Sequence, residues 1–63
     1  MNYDVVAVHM NTKTVRLIAE NKSERNAEGI VMMAVGRRGV GEEFFFEVKH
    51  GAYKDGDKWN GRK

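Results

Sequence analysis

Apolar residues run almost unbroken through "YDVVAVHM" at residues 3–10 and return in "TVRLIAE" at 14–20. They then recur at helical spacing across 27–35 and alternate with polar positions from 43 to 49. Each change of period predicts a change of element. The first two runs are rich in β-branched residues and are parted by the polar "NTK", which predicts a hairpin with its tip at Asn11-Thr12. That register sets Val8 against Val15 and Val6 against Leu17 on one side. On the other it sets Val5 against Ile18, Ala7 against Arg16 and His9 against Thr14. The first side is wholly apolar and is expected to receive the helix.

The helix is announced by "NKSERNAEG". Asn21 with Glu24 three residues on, or Ser23 as the immediate cap, satisfies the free N–H groups of the first turn. Ala27, Ile30, Val31, Ala34 and Val35 form its core stripe, and Gly36 or Gly39 ends it, with Arg37 and Arg38 beside the negative end of its dipole. In "EEFFFEVKH" Phe44, Phe46 and Val48 share one face of a strand, while Phe45 lies opposite with Glu43, Glu47 and Lys49. "AYKDGDKW" carries a tight-turn signal at Asp55-Gly56, flanked by Tyr53 and Trp59, and predicts a short final hairpin. The expected architecture is α+β, in the order ββαβ(β), with one helix packed on a small, mainly antiparallel sheet. The first strand, apolar on both faces, belongs in the middle. Residues 1–59 read as a single domain and 60–63 as a disordered basic tail.

That architecture leaves apolar surface over. Arg25, Gly29, Met32, Met33 and Gly36 fall on the side of the helix that one sheet cannot cover. The back of the sheet, with Tyr3, Val5, Ala7, Ile18 and Phe45, offers a second apolar area. Adaptable methionines beside close-packing glycines suit self-association, so a homodimer through Gly29, Met32, Met33 and Gly36 is expected. Sixty-three residues supply only a modest core, which gives a chain of this size reason to lean on a partner.

Composition narrows the chemistry. No cysteine is present, which removes disulfides and thiolate metal sites and favours a reducing compartment. No run is long enough to span a bilayer and the N-terminal stretch has no basic leader, so a cytoplasmic protein without a membrane partner is expected. The isoelectric point near 9.2 suggests nucleic acid. Residues 1–53 nonetheless balance seven Lys/Arg against seven Asp/Glu, and the whole excess of +2 lies in residues 54–63. A duplex binder concentrates its cations on one face of its folded body instead.

The motifs are weak. "GRRGVG" follows a helix rather than preceding one, so the dipole opposes a phosphate cradle. His9 and His50 each end a predicted strand; joined to Glu43 or Glu47 they would make only a loose metal set. "KDGDKWNG" begins like a calcium loop, but Trp59 occupies the next ligand place and no closing glutamate follows. Ser23 is the sole serine and reads as a cap, so neither catalysis nor a cofactor is expected. Arg37, Arg38, Phe45, Tyr53 and Trp59 remain as candidates for a partner surface. One alternative is single-stranded nucleic acid, stacked on Tyr3, Phe45, Tyr53 and Trp59 beside the basic tail. Another is a small anionic nucleotide held between dimer arginines.

The run "AEGIVMMAVGRRGVGEEFF" with the later "YKDGDKW" resembles the short accessory proteins of bacteriophages and prophages, over about residues 24–59. The resemblance implies a small single-domain protein that binds and redirects a host or phage protein, or counters a host defence, in the host cytoplasm. It assigns no residue a role.

Overall fold

The computed structural model describes residues 1–37 and 42–61. Strand β1 (Asn2–His9) is followed by β2 (Val15–Ser23), helix α1 (Glu24–Arg37) and β3 (Glu43–Lys49). The sheet order is β2-β1-β3, antiparallel throughout. The strand that is apolar on both faces thus takes the centre, as its pattern predicts: Val5, Val6, Ala7 and Val8 are all buried. Fully burying a valine contributes roughly 1.5–3 kcal/mol relative to leaving it exposed, so this tetrad is the main hydrophobic asset of so short a chain.

β1 and β3 pair in an unbroken register, from Tyr3 opposite Lys49 to His9 opposite Glu43. β1 and β2 keep the expected pairs Val8–Val15, Val6–Leu17 and Ala7–Arg16 near the hairpin. Farther out the register shifts twice, so that Val5 meets Ala19 rather than Ile18. These irregularities place extra residues on β2. The first turn of α1 is capped by Ser23, whose Oγ accepts the Asn26 N–H at 3.3 Å. Asn21 does not take the capping role; it adopts a left-handed φ of 58° within the irregular end of β2. The helix runs through Gly36 to Arg37, and Gly39 lies outside the described residues.

The two faces of the sheet are covered differently from expectation. Val6, Val8, Val15 and Val48 share one face, and they cluster with Tyr53, Leu17, Phe46, Ala52 and Trp59. The C-terminal segment therefore covers the side assigned above to the helix. The helix contacts all three strands. With Ala27 fully buried, it lies over the opposite face, where Val5 and Ala7 are fully buried. The small side chains Ala7, Ala19 and Ala27 allow that close approach. The supposed open back of the sheet is thus the helix's own seat.

The final hairpin is reduced to one bridge, Thr14 with Lys58. The turn at Lys54–Asp57 forms, with Gly56 at a φ of 94° that favours glycine. It serves to bring the chain under the sheet to the outer edge of β2. There Val15 N–H donates to Asp57 O, Gly56 N–H donates to Val15 O, and Leu17 N–H donates to Asp55 Oδ1. Asn60 and Gly61, assigned above to a disordered tail, are held by the Tyr53 hydroxyl, which accepts from Asn60 N–H and donates to Gly61 O. Residues 62–63 lie outside the described residues.

Candidate interaction surface

With both sheet faces covered, exposed apolar side chains remain singly at Met1, Met10 and Ile18 and as a group on the helix and β3. Met32 is 74% exposed, Met33 59%, Val35 45% and Phe44 46%. Gly29 and Gly36 are exposed as well, and a β-carbon added to either would meet nothing within 4 Å. The sequence-predicted self-association residues are therefore uncovered by the chain itself. At about 100° per residue they do not form one stripe. Gly29 and Gly36 lie along the crest, while Met32 and Met33 occupy opposite shoulders. Val35, on the Met32 side, shares a depression of about 230 Å³ with Glu43, Phe44, Phe45 and Phe46. Successive strand residues point to opposite faces, so a hollow lined by four in a row follows the outer edge of β3.

That edge can be specified atom by atom. Met10 N–H donates to Glu42 O at 2.8 Å and His50 N–H donates to Asn2 O at 3.1 Å. In an antiparallel ladder with the register above, these bonds direct the backbone groups of 42, 44, 46, 48 and 50 toward β1. The N–H and C=O groups of Glu43, Phe45 and Glu47 then point outward, and none has a backbone partner among the described residues. The outer edge of β2 is doubly irregular and tied to the C-terminal segment. Among the described residues the outer edge of β3 has neither protection.

Charge around this edge is mixed. Arg16 reaches across β1 to grip Glu43 with two hydrogen bonds, at 2.9 and 3.3 Å. Glu47 Oε2 is buried with no hydrogen-bond partner among the described residues. Phe45, half-buried, lies on the helix side of this strand. The other partner candidates are distributed differently. Tyr53 is buried, and Trp59 is half-buried and stacked at 4.6 Å on Phe46 and 5.1 Å on Tyr53. Both belong to the core, because the segment that carries them is the cover of a sheet face. Arg37 closes the helix, and Arg38 lies outside the described residues.

The two histidines are far from making one site. His9 Nδ1 accepts the N–H groups of Asn11 and Thr12 at the hairpin tip. His50 sits at the opposite end of β1, with Nδ1 2.8 Å from Asp4 Oδ1. No cluster of three or more His, Cys, Asp or Glu suited to a metal occurs among the described residues. Asp4 is the polar residue that sequence reasoning passed over. It is buried, and its carboxylate also accepts the N–H groups of Asn21 at 2.8 Å and Gly51 at 3.0 Å. Burial alone pushes this carboxyl up; the bonds from His50, Asn21 and Gly51 and the charge of His50 outweigh it, holding the group below its ordinary value. An aspartate inside an otherwise apolar strand was the available signal.

Compared with family models, curated proteins and solved structures, the chain matches none. Its function rests on its own geometry. No helix among the described residues is long and apolar enough to cross a membrane.

Proposed function

We propose that this is a small non-enzymatic binding protein, phage-encoded and cytoplasmic, that forms a homodimer and acts by contact with a host or phage protein. One observation carries the reading. After the described chain has covered both faces of its own sheet, Met32, Val35 and Phe44 stay exposed, and Val35 and Phe44 line a hollow along a strand edge that has no backbone partner among the described residues. A monomer gains nothing from that arrangement, and association does. Met33, Gly29 and Gly36 extend the apolar area over the helix crest, and Phe45 lies on the adjoining strand; Arg37 and Arg38 are kept as candidates for partner contact on sequence grounds alone.

The alternative of stacked single-stranded nucleic acid loses support, because Trp59 already stacks on both Phe46 and Tyr53 inside the protein. No described contact favours the nucleotide alternative. Sedimentation equilibrium on the whole chain tests the reading: twice the chain mass at micromolar concentration is expected. The Met32→Glu variant should keep the fold while losing both the dimer and any protein captured from host lysate. A wild type that stays monomeric to millimolar concentration, or a captured protein indifferent to that variant, overturns it.

A further inference from the structure

We infer that two copies of the chain join edge to edge through β3, antiparallel and in one particular register, to make a continuous six-stranded sheet. The inference rests on the homodimer proposed above and specifies its geometry. The occupant follows from the edge itself. The outward N–H and C=O groups of Glu43, Phe45 and Glu47 need a strand, and an antiparallel copy of β3 presents the same groups in return. The strand is regular, contains no proline and is aromatic at its centre, which suits pairing.

Charge then selects among the registers that pair at least five residues of the strand. Glu43, Phe45, Glu47 and Lys49 lie on one face of β3, so these side chains would meet their counterparts across the dyad. Centring the dyad on Phe45 sets Glu43 against Glu47 of the second copy, and centring it on Glu47 sets that carboxylate against itself. Like charges directly opposite are destabilising. Centring it on Phe46 places Glu43 opposite Lys49 at both ends, and Phe45 opposite Glu47 between them. Only backbone groups that face outward are used in this register: Phe45 of each copy exchanges both its bonds with Glu47 of the other. Lys49 adds its N–H alone, since Lys49 O already accepts from Ala52 N–H. On the opposite face Phe46 meets Phe46 and Phe44 meets Val48, which covers the exposed Phe44 ring. The helices lie side by side above the seam, Val35 and Met32 inward and Met33 outward.

The test is a charge exchange on the full chain, with circular dichroism to confirm folding and sedimentation to read assembly. Lys49→Glu and Glu43→Lys should each weaken self-association roughly tenfold, since each replaces two opposed attractions by two repulsions. Mixing the two variants should restore dimers of wild-type affinity, because every seam pair is then opposite in sign. Lys49 is exposed, so its substitution leaves the fold intact even if loss of the Arg16 contact makes Glu43→Lys unstable. Met33→Glu should leave the dimer unchanged. A dimer insensitive to Lys49→Glu but abolished by Met33→Glu overturns the β3 seam while leaving the homodimer standing; a wild type that never dimerises removes both.

Discussion

Asp4 organises one end of the molecule. A carboxylate fixed at the start of the central strand receives a bond from the irregular end of β2 through Asn21, and two from the turn after β3 through His50 and Gly51. All three strands thus converge on one buried side chain, which explains its place in an apolar run. Because its folded pKa lies below the unfolded value near 3.9, Asp4 contributes stability that is fully present above that pH. The contribution is lost as pH falls through the folded value. Asp4→Asn keeps the size but offers an amide nitrogen where an acceptor is needed, and should cost about 1–3 kcal/mol at pH 7 by urea unfolding. The same titration repeated between pH 5 and 3 should show a shallower decline in the variant than in the wild type. Equal declines would mean that the acid sensitivity arises elsewhere. The sequence displayed the aspartate, but its three partners lie 17 to 47 positions away and no local pattern points to them.

At the level of elements, local chemistry was largely readable. The β-branched run of β1, the serine cap and the spacing of Ala27, Ile30, Val31 and Ala34 each describe structure completed within a few residues, and each formed where expected, whereas Val35, assigned to the same core stripe, is exposed. The pairing of Val5 was not readable, because the irregular end of β2 is fastened by the Asn21 N–H to Asp4 on β1, a contact that no local pattern in β2 displays. Gly29 separates intrinsic from acquired demands on the helix. It has no positive φ and open space around it, so alanine there fits without strain and should stabilise the monomer by about 0.5–1 kcal/mol. Thermal unfolding at a concentration too low for dimers checks this. The crest position of Gly29 keeps it out of the β3 seam, so Gly29→Ala should also leave dimer affinity unchanged. A helix-to-helix dimer packed on that glycine would instead weaken.

For the whole molecule, the decisive element is the one with the least regular sequence. The turn signal in "AYKDGDKW" predicts only a short final hairpin, with 60–63 as tail, and residues 50–61 contain no periodic stripe. They nevertheless close one sheet face and seal the edge of β2, a role set by long-range geometry that a window of local sequence does not contain. Read as a hairpin rather than as the cover of a face, the segment left the wholly apolar face to the helix and one apolar area too many. Trp59 tests the corrected picture. As the exposed flank of a terminal hairpin its loss would be nearly neutral. As a half-buried ring stacked on Phe46 and Tyr53, Trp59→Ala should cost about 2–4 kcal/mol, somewhat under the range for a fully buried tryptophan. In so small a domain that is a large share of total stability. Chemical denaturation should then show a much lower midpoint, with increased binding of a hydrophobic dye as the face formed by Val6, Val8 and Val15 opens. An unshifted midpoint would return residues 54–61 to the solvent, and would remove the premise that, among the described residues, the β3 edge is the sheet surface left to be covered.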